Sequence, residues 1–300
     1  MAVVSVVMCC YNSEQYIKKT IDSVLGQTYE DFEFIIWNDG SVDSTEEIVK
    51  SYNDERIKYF FHENTGIGIA RSLALKQARG QYIAIIDSDD ICLSNRLESE
   101  VAFLEKHQDY VVVSSQMILI NESDEEIGYS YSFLYDKVIR KKMHAASVMS
   151  HSGCMYRKSI YDKAGGYSGI VLGEDHVLFS RMMKYGKAYN LPDPLVKYRI
   201  RNMSMMHSVI SNAYLPILNE FRLKFIDDVN ISDEDVVIYN RLYSMSKRPI
   251  KDTQMASFAS CKNKSIEDSL LDCLKPILGE RFSKRIIVYI KSLLFLFIIR

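Results

Sequence analysis

An acidic run, Asp87-Ser88-Asp89-Asp90, follows the apolar stretch 82–86, which has the pattern of a buried strand. Three carboxylates at the end of such a strand are unfavourable alone, because like charges repel and each anion loses hydration. A shared cation would offset this cost, and oxygen-only ligands suit Mg²⁺ or Mn²⁺, which also bind substrate phosphates. The alternative is an acidic N-cap for a helix starting near Ser94, although capping needs only one acidic residue.

A second acidic pair, Glu174-Asp175, precedes an amphipathic segment and is followed by His176. The pair either caps a helix electrostatically or supplies a general base that takes a proton from an incoming hydroxyl. His176 would suit a metal ligand or a base, but a single histidine is more often structural. Farther on, Arg199 and Arg201 alternate, so their guanidinium groups either hold a diphosphate or line a solvated edge.

The elements that position these residues follow from hydrophobic periodicity. Apolar, β-branched runs predict buried strands at 3–9, 32–37, 56–61, 82–86 and 110–114. Helical spacing predicts helices between these strands. The alternation predicts an α/β fold with a doubly wound, mostly parallel sheet flanked by helices. We read 118–142 as an irregular connection, and the pattern beyond about residue 206 as helical.

The carboxyl ends of parallel strands share one edge of a sheet, so residues that follow the first, second and fourth strands should meet there. Tyr11 could stack on a nucleobase and Asp39 could accept a hydrogen bond from it, although Asp39-Gly40 alone is also an ordinary turn signal. Arg71 lies in the helix after the Gly-Ile-Gly sequence at 66–68, which lacks the third glycine of a dinucleotide fingerprint. It is either a diphosphate ligand or a buried partner of the acidic run.

Composition excludes several classes of protein. The chain has 300 residues, 47% of them hydrophobic, which suffices for one large domain or two smaller ones. A formal charge of −2 argues against nucleic acid as a partner. The 6 cysteines have no metal-binding spacing, and we expect reduced thiols in a cytosolic protein. The first eight residues lack the basic leader of a secretion signal.

Several motifs together resemble family 2 glycosyltransferases. The resemblance runs from about residue 3 to 205, with its motifs in the expected order: 4–7 with Tyr11-Asn12, 38–41, 43–45, Ala70-Arg71, 78–82, 87–90, and Glu174-Asp175 with Arg181. Each motif is weak alone, but the ordered set is specific. The chain departs from the family at Cys9-Cys10, where a proline and a small residue are common, and at Ser72, where asparagine is common.

The resemblance implies a GT-A fold and an inverting, metal-dependent transfer of sugar from a nucleotide-diphosphate donor, which we expect to be a UDP-sugar. Its site residues are carried over by position. Tyr11 and Asp39 would hold the nucleobase, and Asp89 would bind the Mg²⁺ or Mn²⁺. Asp175 would be the catalytic base, supported by Glu174. The remaining assignments are nucleotide contacts from Arg71, Asp87 and Ser88, and diphosphate contacts from Arg199 and Arg201.

The sequence predicts a catalytic domain at 1–208 and a helical region at 209–300. The tail at 281–300 mixes basic and apolar residues and is interrupted by Lys291, so it is too short to span a bilayer. It would either lie in a membrane interface or pack on protein. By family analogy the acceptor is a saccharide or lipid-linked saccharide of bacterial surface polysaccharide, which predicts a cytoplasmic enzyme peripheral on the inner face of the cytoplasmic membrane.

Three other functions compete with this interpretation. A nucleotidyltransferase would need a glycine-rich, basic loop after the first strand, and residues 10–14 contain neither glycine nor a cation. A catalytically silent, membrane-associated assembly subunit is opposed by the presence of both Asp89 and Asp175. A nicotinamide dehydrogenase is disfavoured by the missing fingerprint.

Overall fold

The structure, a computed structural model, describes residues 3–130, 132–143, 148–170 and 173–201, together with 226, 233, 236, 237, 239 and 240. All of these fall in one compact unit. Of the region predicted to be helical beyond residue 208, only the six single positions are described, and these are helical. The boundary at 208 therefore stays a prediction, and the tail at 281–300 lies outside the described residues. No helix among the described residues is both long and apolar enough to cross a bilayer.

Strands and helices alternate along the first half of the chain, as predicted. The strands are β1 (Val4–Cys10), β2 (Phe32–Asn38), β3 (Ile57–Phe61), β4 (Tyr82–Ile85), β5 (Ile91–Cys92), β6 (Tyr110–Ile120), β7 (Glu126–Ser130), β8 (Met155–Arg157) and β9 (Lys187–Arg199). The helices are α1 (Ile17–Leu25), α2 (Thr45–Lys50), α3 (Ile67–Leu75), α4 (Arg96–Lys106), α5 (Asp136–Met143), α6 (Lys158–Lys163) and α7 (Glu174–Met182).

A single mixed sheet runs through the molecule in the order β3-β2-β1-β4-β8-β6-β9-β5, with β7 paired to β6. Strands β3, β2, β1 and β4 are mutually parallel, which confirms the parallel pairing predicted for these four strands. Strand β8 is antiparallel to both β4 and β6, and β9 runs parallel to β6. The reading of 118–142 as irregular was wrong, because β6 extends to Ile120 and is followed by β7 and α5.

Two apolar layers cover the sheet, one on each face. Along β1, Val6 and Met8 pack on one face against α1 and α4, whereas Val7 packs on the other against α3 and α7. Burial on both faces explains why the first strands are continuous apolar runs rather than alternating ones. The layers leave the carboxyl ends of β1, β2 and β4 as the common edge from which the loops of the site emerge.

Candidate functional site

The loops after β1 and β2 are fastened to each other by side-chain hydrogen bonds to the backbone. The backbone N–H of Asn12 donates to Ser41 Oγ (2.9 Å), and that of Val42 donates to Asn12 Oδ1 (3.0 Å). The N–H of Ser44 donates to Glu14 Oε2 (2.9 Å). These crossed bonds fix the loop that carries Tyr11, whose side chain is half-exposed at this edge and available for stacking.

Asp39 is buried, and its carboxylate organises the loop before α3. Oδ1 accepts hydrogen bonds from the N–H and the hydroxyl of Thr65 (both 3.0 Å), and Oδ2 accepts one from the N–H of Gly66 (2.9 Å). Gly40 allows the chain to pass close by: its φ is +79°, and a Cβ there would lie 2.7 Å from the nitrogen of Asn64. A carboxylate offers about four lone-pair sites, so Asp39 retains capacity for one further donor.

The three carboxylates of the acidic run have different surroundings. Asp87 is partly exposed and accepts a hydrogen bond from Arg71 Nη2 (2.8 Å). Asp89 Oδ2 lies 2.8 Å from Arg201 Nε, and burial, followed by the nearby charge of Asp87, raises its pKa. Asp90 is fully buried and accepts the backbone N–H of Arg199 (2.8 Å), and burial raises its pKa well above the usual range. Asp90 is therefore a structural residue rather than a third member of a cation site.

Arg71 is a buried bridge between the two acidic motifs. Its guanidinium contacts Asp87 through Nη2 and Glu174 Oε1 through Nη1. These contacts match one of the two alternatives for Arg71, the buried partner of the acidic run, and its contact with a nucleotide stays a prediction. Burial raises the pKa of Glu174 to about 7, although the charge of Arg71 acts in the opposite direction. The bridge joins the loop after β4 to the first turn of α7.

Glu174 and Asp175 form the first turn of α7, after Gly173 in a left-handed conformation (φ +75°). Asp175 is partly buried. Burial raises the pKa of the Cys154 thiol, and the charge of Asp175 adds to this rise, so Asp175 lies in the surroundings of Cys154, the residue before β8. The N–H of Ile85 donates to the Cys154 carbonyl (2.9 Å), so this region adjoins the end of β4. His176 is buried and its Nε2 pairs with the Met143 carbonyl, which makes it structural.

Arg199 and Arg201 lie on the same side of the chain, both above the ring of Tyr16. The side chain of Arg199 is 0% exposed. Its Nε donates to the Asp89 carbonyl (2.8 Å), and its Nη1 donates to the Asn121 carbonyl (2.9 Å). The guanidinium of Arg199 thus supports the acidic loop, and its contact with a diphosphate stays a prediction. The side chain of Arg201 is 38% exposed, so of the two arginines it is the more accessible to a ligand.

Ser88 and Arg96 also shape the acidic loop. Ser88 Oγ lies 2.8 Å from Ser13 Oγ, and its carbonyl accepts the Thr20 hydroxyl (3.0 Å), so its side chain ties the loop to the one after β1. Sequence reasoning missed Arg96, which is fully buried and donates to the carbonyls of Ile85 (2.8 Å) and Cys154 (3.2 Å). In the sequence, only the four-residue spacing between Arg96 and Glu100 on α4 indicated that Arg96 has a charged partner.

The residues present fit a divalent cation bound mainly by substrate and water. Among the described residues, no group of three histidine, cysteine or acidic side chains could hold a metal ion. A closed protein site is therefore not formed there. Asp89 supplies a carboxylate that is 17% exposed, and burial, followed by the charge of Asp87, raises its pKa. Mg²⁺ and Mn²⁺ commonly take one or two carboxylates together with substrate phosphates, and this donor set matches that chemistry.

The amino-acid sequence of the chain matches a known protein family and resembles members of it. The model of the family "Glycosyl transferase family 2" matches residues 5–165. The chain is 31% identical over 217 residues to the O-antigen biosynthesis glycosyltransferase WbnJ of Escherichia coli. The alignment covers 69% of this chain and 84% of that protein.

Two solved structures resemble the chain along most of its length. S. aureus TarS 1–349 in complex with UDP-GlcNAc has a TM-score of 0.60 at 20% identity, covering 92% of this chain and 82% of that one. The mannosyltransferase PcManGT from Pyrobaculum calidifontis, in complex with GDP-Man and Mn²⁺, has a TM-score of 0.54 at 16% identity, covering 96% and 84%.

Proposed function

Because the chain belongs to glycosyltransferase family 2 and has the GT-A fold, we propose that it transfers a sugar from a UDP-sugar to a hydroxyl of a saccharide or lipid-linked saccharide, with inversion at the anomeric carbon. The family makes the chain a glycosyltransferase, and its similarity to WbnJ favours a role in polysaccharide biosynthesis. A lipid-linked acceptor would place the enzyme at the inner face of the cytoplasmic membrane.

The observation that carries the proposal is the series of contacts Asp87–Arg71–Glu174, in which Arg71 and Glu174 are buried. It connects the loop beside Asp89 to the helix turn that presents Asp175. A transferase needs a group for the donor and a base for the acceptor on opposite sides of the anomeric carbon. Arg71 fixes the distance between those two loops, because it is buried and paired at both ends.

Each role follows from the surroundings of the side chain. Tyr11 stacks on the nucleobase, and Asp39 accepts a base N–H with its remaining lone pair. Asp175 takes the proton of the acceptor hydroxyl as that oxygen attacks the anomeric carbon. The bond from the anomeric carbon to the diphosphate oxygen breaks, and the nucleotide leaves with the electron pair while Arg201 balances its charge. A divalent cation held by Asp89 would supply further positive charge to the diphosphate.

Calorimetric titration with UDP and with GDP, in Mn²⁺ and in chelator, tests the donor site. We expect UDP binding that needs the metal and weakens in Asp89→Ala. A preference for GDP would show that the donor is a GDP-sugar, and the assignment of the donor site would stand. Failure of folded protein to bind either UDP or GDP would refute the proposal and favour the silent assembly subunit.

Turnover of Asp175→Asn tests the base. We expect transfer to fall by about 10²–10⁴-fold while UDP binding is retained, since general base catalysis contributes about that much. Asp162→Asn is the matched control, because Asp162 lines the same surface cavity as Gly80 and Gln81, which precede the amino-terminal end of β4. Normal turnover in Asp175→Asn would rule out its assignment as the base.

A further inference from the structure

Helix α5 and the segment before it carry an exposed basic and aromatic surface. Residues 133–143 include four cations and one anion, whereas the whole chain has a formal charge of −2. Exposed apolar side chains lie among the cations, and Tyr135 is 63% exposed. We call this surface the α5 patch, and it comprises Phe133, Tyr135, Lys137, Val138, Lys141 and Lys142.

Hydrogen bonds and buried side chains anchor the α5 patch on the body of the protein. The N–H of Asn190 donates to the Leu134 carbonyl (3.1 Å), and Asn190 Nδ2 donates to the Phe133 carbonyl (2.7 Å). On α5 itself, Ile139 and Met143 are buried and anchor the helix. The ammonium of Lys142 lies 5.8 Å from the centre of the Phe133 ring. Basic and apolar groups are therefore presented together on a fixed surface.

Helix α5 also runs along α7, the helix that begins with Glu174 and Asp175. Arg140 donates to the carbonyls of Met183 (2.7 Å) and Gly186 beyond the end of α7. Three residues farther along, at the carboxyl end of α5, the Met143 carbonyl pairs with His176 in the first turn of α7. The two helices are thus antiparallel. With a rise of about 1.5 Å per residue, the patch lies within roughly 15 Å of Asp175 along the helix direction.

We propose that the α5 patch docks on an anionic membrane surface. Lysines with tyrosine, phenylalanine and valine match the interface, where ammonium groups meet acidic headgroups and aromatic rings lie at the acyl boundary. This docking would bring the first turn of α7 close to the headgroups, where the sugar of a lipid-linked acceptor is presented. The inference adds to the proposed function, but its test requires no sugar transfer, so the two can fail separately.

A tryptophan at position 135 reports contact at the patch itself. Trp37 is the only tryptophan of the chain and is buried, so it serves as an internal reference. Full-length Tyr135→Trp is mixed with vesicles of phosphatidylcholine and phosphatidylglycerol that contain brominated acyl chains. We expect quenching of the new fluorescence only when phosphatidylglycerol is present, and none of the wild-type fluorescence. Vesicle binding without quenching of Trp at 135 would overturn the proposal, because another part of the chain would be the contact.

Charge removal gives the matched test. Each lysine at an anionic surface changes partitioning by about fivefold, so removing three should reduce vesicle binding at least tenfold. The patch variant is K137Q/K141Q/K142Q, and the control with the same net charge is K50Q/K58Q/K76Q, with exposed lysines on other elements. Equal loss in both variants would contradict the proposal. A dimer lost only in the patch variant, without vesicle binding, would assign the patch to a second copy of the chain instead.

Discussion

Replacing Arg71 with methionine should destabilise the protein in a way that depends on pH. Methionine has a similar length but no charge, so Glu174 would keep its burial and lose its partner. The pKa of Glu174 is already raised from 4.5 to about 7 by burial. Because Arg71 lowers that pKa, its removal should raise it further. Asp87 is partly exposed, so its loss of the same partner should matter less.

The magnitude follows from the two protonation states of Glu174. Leaving one charge of a buried pair without its partner costs about 3–5 kcal/mol, but proton uptake by Glu174 limits this cost at low pH. A carboxyl whose pKa is raised on folding contributes stability that is complete below its unfolded pKa and is lost as pH rises through the folded pKa. In the wild type, the stability contributed by Glu174 stops falling near pH 7. In Arg71→Met, this stability continues to fall above pH 7, because the pKa of Glu174 is higher. We expect a deficit of about 3 kcal/mol near pH 8 and about 1.5 kcal/mol near pH 6.

Urea unfolding at these two pH values measures the deficit, and Arg71→Met/Glu174→Gln is the control. The double variant has no carboxyl to titrate at 174, so its stability relative to Glu174→Gln should not change between the two pH values. UDP binding provides a second readout. Because Arg71 is buried, Arg71→Met should reduce turnover more than UDP affinity. A variant that folds with unchanged stability but loses UDP binding would refute the bridge and restore Arg71 as a nucleotide ligand.

Two further predictions concern stability. Glu100 is buried beside Arg96, and burial raises its pKa from 4.5 to about 7. Its stabilising contribution should be complete below about pH 4.5 and lost as pH rises through about 7. In Glu100→Gln, the free energy of unfolding measured in urea should therefore depend less on pH between these values. Gly68→Ala should cost about 1–3 kcal/mol in the same assay, because the new Cβ would lie 2.4 Å from the Ile170 carbonyl oxygen. Ile69→Ala, on the exposed side of α3, should cost less than Gly68→Ala, and an equal loss would contradict the packing argument.

The parallel half of the sheet was predictable because each of its strands is a short apolar run. Each run is followed along the chain by a segment whose apolar residues recur at the spacing of a helix. Strand β9 was not predictable, because it contains Pro192 and Pro194, which normally exclude a strand from a sheet interior. The structure accommodates them at a shift in register, where Leu191 pairs with Ser115 and Pro194 pairs with the next residue, Gln116. Helix α5 was missed because its polar face dominates the local composition and only two of its residues are buried.

The common edge of the site was predictable from strand ends alone, whereas the partners of the acidic run were not. Three adjacent carboxylates suggest one shared function. Yet Asp87 contacts Arg71, Asp89 contacts Arg201, and Asp90 accepts the backbone N–H at position 199.

These pairings depend on the short antiparallel ladder between β5 and β9, where Ile91 pairs with Lys197 and Cys92 with Val196. That register brings the end of β9 against the acidic loop, and a shift of one residue would turn the side chains there, that of Arg199 included, to the opposite face of the strand. Local charge therefore locates the candidate site, but the register of a distant strand decides which partner each carboxylate contacts. Asp90 is buried and Asp87 is held by Arg71, which leaves Asp89 as the carboxylate of the run whose partner, Arg201, is itself partly exposed.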